Sequence, residues 1–204
     1  AFPWLSAREC FIGFAPATVL GVSFSGELAY EIHVPNASLY AAYLALRDAG
    51  RAYDLTLFGA RAVESMRMEK GFLHWKAELL TEFDPFETGL DRFVKMDKRA
   101  FVGKAALEER RASGARRALV TLRIDTARAP AHCGGSLMVD GRVVGTISSG
   151  DWGHRVGINL AYAFVEPDLA VPGSKMALDL CGTMVGAEVL PPSPYDPGHA
   201  LMRG

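Results

Sequence analysis

The sequence has few cysteines and no long hydrophobic run. Its 204 residues include three cysteines, Cys10, Cys133 and Cys181, which lie far apart and form no Cys-x-x-Cys pair. Such a sparse, odd count is typical of free thiols in a reducing compartment rather than of a disulfide framework. No apolar run approaches the ~20 residues that span a bilayer, and no signal peptide is visible. We therefore expect no membrane partner and a cytoplasmic location, or the mitochondrial matrix if the source is eukaryotic.

The sequence also lacks an excess of charge of either sign. It carries 22 basic and 23 acidic residues, for a net charge of −1, whereas nucleic-acid-binding domains are usually strongly basic. A local cluster of arginines at residues 110–117 follows a helical pattern that includes Glu108 and Glu109. This mixture favours a solvated helix end, and we expect no nucleic-acid partner.

Several catalytic and cofactor motifs are missing as well. The sequence has no Gly-x-Gly-x-x-Gly fingerprint and no Walker loop, and residues 145–150 do not form a Gly-x-Ser-x-Gly elbow. The histidines are scattered without the spacing of a metal site. We therefore expect neither a metal nor a nucleotide-phosphate site in this chain. These histidines are His33, His74, His132, His154 and His199.

The first half of the sequence predicts an α+β layer. Residues 19–24 and 28–34 alternate apolar and polar positions on either side of a Ser-Gly turn at residues 25–26, which predicts two paired strands. Helices are expected over residues 36–50 and 56–70, and a glycine stands at or just after the end of each. Strand pairs with packed helices define this class of fold.

The second half changes to a period of two. After a short helix near residues 102–111, apolar alternation predicts several short strands, and Asp140-Gly141 is typical of a type I′ hairpin turn. No helix is expected past about residue 114. Short strands separated by turns favour a small β-barrel or sandwich. We place the domain boundary near residue 100, with an α+β part over residues 1–100 and a β domain over residues 101–204.

The predicted strand around Glu31 carries the first candidate for chemistry. Alternation places Tyr30 and Ile32 on one face and Glu31 with His33 on the other. Two interpretations remain open at this point. Glu31 is either a solvated carboxylate on an edge strand or the acceptor of paired hydrogen bonds from an aminated ring, at about 1.5–3 kcal/mol for each charge-assisted bond.

Arg61 lies in the first turns of the second predicted helix, where the helix dipole disfavours a cation. An anionic or carbonyl partner across a cleft would explain it, and so would a pair with Glu64 or Ser65 at helical spacing. After the same helix, Phe72 either forms the wall of a ring site or packs beneath a loop. Arg67 and Glu69 are expected to be structural.

At these residues the chain resembles the folate-binding aminomethyltransferase family typified by the T protein of the glycine cleavage system. The runs at residues 25–32 and 59–71 resemble that family's two central motifs. Further matches resemble the folate-binding half of sarcosine and dimethylglycine dehydrogenases or oxidases. Lys-Gly-Phe-Leu at residues 70–73 argues against the iron–sulfur maintenance branch, which carries Lys-Gly-Cys-Tyr. The further matches are at residues 2–4, 69–75, 84–90, 101–107, 145–150 and 194–197.

The resemblance implies a tetrahydrofolate site and an α+β part followed by a small C-terminal β-barrel. Within that site Glu31 would hold the pterin ring and Arg61 would line the same pocket. Phe24 and Phe72 fall where the family has tyrosines, so ring stacking is kept and hydroxyl hydrogen bonds are lost. The catalytic residue is not identified in this chain, because the family's aspartate is expected upstream of it, as is the FAD domain of the dehydrogenases.

The resemblance also implies the reaction of the whole protein. A flavin oxidises an N-methyl amine, and tetrahydrofolate captures the one-carbon unit. We therefore expect the chain to be a C-terminal fragment of a sarcosine or dimethylglycine dehydrogenase-like enzyme, inactive alone. Its partners would be a methylated amine or aminomethyl donor and the missing upstream domains. The alternatives are a free-standing tetrahydrofolate-dependent aminomethyltransferase or demethylase, and a non-catalytic folate-binding or structural module of a larger complex.

Overall fold

The computed structural model describes residues 2–203, which fall into two compact units. The first unit contains the chain up to Arg67 together with the C-terminal segment from Asp196. The second unit is the continuous stretch Met68–Tyr195. The domain boundary that the sequence predicts near residue 100 remains a prediction.

The first unit is built on a three-stranded antiparallel sheet. Strands β1 (Ala7–Ile12), β2 (Ala15–Leu20) and β3 (Glu31–His33) lie in the order β1-β2-β3. Helix α1 (Leu39–Gly50) packs against β1 and β2. Ala15 and Ala17 on β2 and Ala42 on α1 are buried, so small side chains form this contact.

The strand predicted at residues 19–24 was misplaced, whereas the one predicted at 28–34 contains β3 but is longer than it. β2 ends at Leu20 and β3 begins at Glu31, so the intervening residues 21–30 form a loop rather than a tight hairpin. Within that loop the Gly26 N–H donates to Ser23 Oγ at 3.0 Å and the Glu27 N–H donates to Ser25 Oγ at 3.3 Å. Serine hydroxyls that bind nearby backbone compete with a strand ladder, which explains the difference.

The helices lie close to their predicted positions. A 3-10 turn at Asn36–Ser38 precedes α1, and another at Arg51–Tyr53 follows it. Helix α2 spans Ala60–Lys70, four residues shorter at its start than predicted, and ends at Gly71 with φ of 78°. After it come α3 (Pro85–Thr88), a 3-10 turn at Asp91–Phe93, and α4 (Lys104–Ser113).

The second unit contains a closed six-stranded antiparallel barrel in the order β4-β7-β6-β5-β8-β9. The prediction of an α+β part followed by a β-barrel is confirmed. The expectation of no helix past about residue 114 holds for α-helices among residues 115–203, but a 3-10 turn forms at Pro167–Leu169. The strands are β4 (Ala118–Ile124), β5 (Ser136–Val139), β6 (Arg142–Gly153), β7 (Ile158–Val165), β8 (Lys175–Leu180) and β9 (Thr183–Leu190).

The barrel core and its hairpin follow from the period-two pattern. Alternate residues of the strands point inward and are buried, and they include Leu122, Leu137, Ile147 and Leu178. At the β5–β6 turn Asp140 has φ of 50° and Gly141 has φ of 77°. Two successive positive φ values define the type I′ turn that Asp-Gly predicts.

Candidate functional site

Glu31 lies at the start of β3, one of the two edge strands of the first sheet. It pairs in register with Leu20, and His33 pairs with Thr18, so Glu31 and His33 share one face as predicted. This face is opposite to the one that carries buried Ala17, because neighbouring residues of β2 alternate between faces. The Glu31 side chain is 56% exposed, and its Oε2 lies 3.4 Å from His33 Nε2. The carboxylate is therefore accessible to a ligand.

Arg61 is the second residue of α2 and is exposed. The proposed helical pair with Glu64 is not formed, because Glu64 binds the buried guanidinium of Arg67 instead. Among residues 2–203, Arg61 has neither an ion pair nor a hydrogen-bond partner, and Glu31 pairs with His33 rather than with Arg61. An exposed cation at a helix N-terminus thus stays available for an external anion or carbonyl.

The two phenylalanines of the predicted site lie in different units. Phe24 is half-buried in the loop between β2 and β3 and belongs to the first unit with Glu31 and Arg61. Phe72 is half-buried directly after Gly71 and belongs to the second unit. The roles of all four residues in binding a ring remain predictions.

A cavity of about 200 Å³ lies within the second unit, bordered by Gly71 and Leu73. Its hydroxyl groups already have acceptors: Tyr162 Oη donates to Met68 O at 2.7 Å, and Thr121 Oγ1 donates to Pro192 O at 3.0 Å. No carboxylate is among its lining residues within the described chain. It therefore offers no acidic acceptor, whereas Glu31 carries an accessible carboxylate.

Three buried glutamates, Glu69, Glu78 and Glu87, bind the segment before the barrel to other parts of the second unit. Of these, only Glu69 was predicted from the sequence to have a structural role. Glu69, at the end of α2, reaches the turn between β6 and β7. Its Oε1 accepts the Arg155 N–H at 2.5 Å and the Val156 N–H at 3.0 Å, and its Oε2 accepts the Arg155 guanidinium. The Glu69 carbonyl accepts the Tyr195 N–H at 2.9 Å, and the Arg155 guanidinium lies 3.9 Å from the Tyr195 ring centre.

Glu78 makes a similar connection to strand β6. Its Oε1 accepts the hydroxyls of Ser148 at 2.9 Å and Ser149 at 2.5 Å, and its Oε2 accepts the His74 N–H at 2.8 Å. The side chain is fully buried. Because it accepts from His74 on one side and from Ser148 and Ser149 on the other, the carboxylate joins the segment to the barrel wall.

Glu87 caps α3 and binds the chain just before β4. Its carboxylate accepts the backbone N–H groups of Asp84 at 3.1 Å, Arg116 at 3.3 Å and Arg117 at 3.2 Å. The Arg116 guanidinium adds two bonds of 3.1 Å. Burial alone would raise the pKa of Glu87, but the Arg116 bonds, the backbone donors and the Arg116 charge together hold that pKa below its usual value. A carboxylate held ionised by so many donors is structural rather than a catalytic acid.

Other kinds of site receive no support from the described residues. Within residues 2–203 no cluster of His, Cys, Asp and Glu could hold a metal ion. The helices found over the same residues are too short or too polar to cross a membrane. The three cysteines are unpaired and exposed.

Comparison with known proteins identifies two family domains in this chain. Residues 1–98 match the GCVT N-terminal domain, and residues 117–196 match the glycine cleavage T-protein C-terminal barrel domain. The second match covers all six strands of the barrel. The first contains Glu31, Arg61, Phe24 and Phe72.

Individual relatives are of two kinds. Sarcosine dehydrogenase of Mus musculus mitochondria is 35% identical over the whole chain, and dimethylglycine dehydrogenase of Homo sapiens mitochondria is 32% identical over 93% of it. An aminomethyltransferase of Saccharopolyspora erythraea is 36% identical over 82% of the chain. The chain spans 22–23% of the length of the two dehydrogenases and 46% of that of the aminomethyltransferase.

A solved structure shows the same fold. The glycine cleavage system aminomethyltransferase T from Bartonella henselae superposes with a TM-score of 0.78 at 24% identity, over 89% of this chain and 50% of its own. The chain matches both family domains, and its relatives align over most of the sequence. These matches lead to one assignment. The chain belongs to the glycine cleavage T-protein family, with aminomethyltransferases and the sarcosine and dimethylglycine dehydrogenases as its relatives.

Proposed function

We propose that this chain is the folate-binding part of an enzyme that passes a one-carbon unit from an N-methyl amine to tetrahydrofolate, as part of a sarcosine or dimethylglycine dehydrogenase-like protein. The observation that carries the proposal is the accessible Glu31 carboxylate, which lies in the matched N-terminal domain on the face of its sheet opposite to buried Ala17. The similarity to both dehydrogenases over nearly the whole chain supports it.

The proposed roles follow from the chemistry of the side chains. Glu31 accepts hydrogen bonds from the amino edge of the pterin, and such charge-assisted bonds contribute about 1.5–3 kcal/mol each. Arg61, without an internal partner, binds a carbonyl or carboxylate of the same ligand. Phe24 and Phe72 contribute ring surfaces. Tetrahydrofolate, when bound, supplies the nitrogen that takes up the one-carbon unit, and the chain's own contribution is to hold that nitrogen in position.

Calorimetric titration with folinic acid tests the role of Glu31. Replacing Glu31→Gln removes the charge but keeps the shape, and we expect the affinity to fall at least tenfold, about 1.4 kcal/mol. Glu109→Gln is the matched control, because Glu109 is an exposed carboxylate on α4, in the second unit. Equal affinities of the Glu31→Gln variant and the unchanged protein would remove Glu31 from the site.

The titration is performed both on the 204-residue chain and on the polypeptide that the natural source makes. Binding by the natural polypeptide alone would show that the site needs residues outside this chain and would support the proposal. No binding of folinic acid by either protein would overturn the assignment of a folate site.

A free-standing aminomethyltransferase is the second candidate, supported by the 36% identity to the Saccharopolyspora erythraea enzyme. Activity assays of the polypeptide that the natural source makes distinguish the two candidate functions. Reduction of an artificial electron acceptor by sarcosine or dimethylglycine assigns the dehydrogenase, with FAD held outside this chain. Tetrahydrofolate-dependent transfer from an aminomethyl donor without such reduction assigns the aminomethyltransferase. Folate binding without either reaction would assign a non-catalytic module.

The proposed cellular location depends on whether the source is eukaryotic or bacterial. Both dehydrogenase relatives are named as mitochondrial enzymes. We propose the mitochondrial matrix for a eukaryotic source and the cytoplasm for a bacterial one, and cell fractionation with an antibody against the chain tests this.

A further inference from the structure

The cavity of the second unit has walls that are mostly apolar. Its volume is about 200 Å³, and its apolar lining includes Leu73, Leu90, Val120 and Leu190. These side chains come from the segment before the barrel and from strands β4 and β9. An apolar cavity of about 150 Å³ engineered into another protein binds benzene. The cavity of this chain is therefore large enough for an apolar group of about that size.

The hydroxyl groups of the lining are directed to the protein itself. Thr121 Oγ1 and Tyr162 Oη each donate to a backbone carbonyl, as described above. Thr88 Oγ1 donates to the carbonyl oxygen of Asp84 at 3.2 Å. Because a hydroxyl has a single hydrogen, none of the three offers a donor to a ligand in this arrangement. A polar group of a ligand must be recognised by another side chain.

Arg92 supplies a positive charge at this cavity. Among the described lining residues it is the one with a charged side chain, and its guanidinium has no ion pair or hydrogen bond within residues 2–203. The guanidinium carbon lies 4.8 Å from the centre of the Phe93 ring, a contact that restrains the side chain. Since Arg92 is exposed whereas Val120 is buried, the charge lies at the mouth of the cavity. A guanidinium forms paired hydrogen bonds with a carboxylate.

Together these features define one class of ligand. We propose that the cavity binds a small monocarboxylate with a compact apolar body, such as a benzoate, whose ring enters the apolar walls while its carboxylate pairs with Arg92. No acidic side chain is among the described lining residues, so none repels an anion there. The lining contains none of the four residues predicted to bind folate, so the cavity is a second site, and this proposal does not depend on the proposed function.

Equilibrium dialysis with three ligands of similar shape tests the need for a negative charge. The probes are benzoate, the neutral benzamide and the cationic benzylamine, each with the 204-residue chain. We expect benzoate to bind with a Kd of about 1 mM or below, which a ligand this small can reach. The other two should bind at least ~10-fold more weakly, because hydrogen bonds between charged partners are the stronger ones. Equal binding of benzoate and benzamide, or no binding of benzoate at ~10 mM, would overturn the proposal.

Substitution of Arg92 tests the ion pair. Arg92→Leu should weaken benzoate binding ~10-fold and remove the preference for benzoate over benzamide, whereas Arg92→Lys should keep part of that preference because the charge remains. Lys95→Leu is the matched control, since Lys95 is an exposed cation near Arg92 in sequence that does not line the cavity. Melting temperatures show whether each variant is folded. An Arg92→Leu effect no larger than that of Lys95→Leu would contradict the ion pair.

A crystal structure with 4-bromobenzoate locates the ligand, because bromine is identified by its anomalous scattering. We expect the bromine inside the cavity and the carboxylate within hydrogen-bond distance of Arg92. Bromine found only at other places would overturn the proposal. Displacement of benzoate by folinic acid in the dialysis would do so as well, because the cavity would then be part of the folate site rather than a second one.

Discussion

Glu69 is an acidic side chain that is fully buried. Its carboxylate accepts two backbone N–H groups and the Arg155 guanidinium. Removing one partner of a buried charged network leaves the remaining donors unpaired, and this costs more than the net energy of the intact interaction.

We predict that Glu69→Gln lowers the free energy of unfolding by on the order of 2–4 kcal/mol, because an amide cannot accept all of these bonds and leaves Arg155 without its counter-charge. Urea denaturation followed by circular dichroism measures the change. Glu109→Gln, at an exposed position, should stay within ~0.5 kcal/mol of the unchanged protein. A Glu69→Gln loss as small as that of the control would show that the network contributes little.

The lowered pKa of Glu87 predicts that the stability of the chain depends on pH. That pKa is held below the usual value in the folded chain. A lowered pKa in the folded state stabilises the protein above the unfolded carboxyl pKa of ~4.3, and that contribution is lost as the pH falls through the folded pKa. Glu87→Gln should therefore be less stable than the unchanged protein at neutral pH. The difference should shrink below pH ~4, as urea unfolding at several pH values can show. A constant difference would mean that the charge of Glu87 does not matter.

The sequence pattern can predict the role of some of these buried carboxylates but not of others. Asp84-Pro85-x-Glu87 is a capping-box pattern, and the structure forms that box. Most bonds of Glu69 and Glu78 described above reach side chains and backbone 70 to 87 residues away. No local pattern encodes such a contact, so their burial could not have been predicted from neighbouring residues.

At the scale of elements, the end of helix α2 is constrained by a close approach. Gly71 has φ of 78°, and a Cβ added there would lie 2.4 Å from the carbonyl oxygen of Pro192. Glycine is therefore required for two separate reasons, the left-handed backbone and the lack of space.

We predict that Gly71→Ala destabilises the chain by more than Gly89→Ala. Gly89 has φ of 71° at the end of α3, but nothing lies within 4 Å of its added Cβ. Both changes carry the cost of a left-handed alanine, about 1 kcal/mol, and Gly71→Ala adds the displacement of the Pro192 backbone. Thermal unfolding of the two variants measures the difference. Equal melting temperatures would show that the segment around Pro192 moves away freely.

The two sheets differ in how well their elements could be predicted. Most barrel strands were found because one face of each is buried, so apolar residues alternate along them, whereas β7 is buried on both faces and was found as a continuous apolar run. In the first sheet β1 is exposed on both faces and β3 has three residues, so neither carries a clear alternation. The face of Glu31 could nevertheless be predicted, because it depends only on the local period of two. Its ligand depends on contacts outside the strand.

At the scale of the molecule, the second unit has the features of an independently folding body. Its barrel is closed and leaves no strand edge, and its core contains large aliphatic side chains. We predict that residues 68–195 alone unfold in a single cooperative transition, as circular dichroism during heating can show. A gradual loss of signal would mean that the barrel needs the first unit.

The path of the chain through the second unit has a further consequence. The Tyr195 N–H bonds to the Glu69 carbonyl at 2.9 Å, so the unit's entry and exit points are neighbours. In sequence, the second unit is inserted between two pieces of the first, and the insertion point at Arg67–Met68 lies within helix α2, where both residues are fully buried. Exchange of the insert, by recombination in evolution or by engineering, would therefore require a replacement that continues this helix and brings its own ends together.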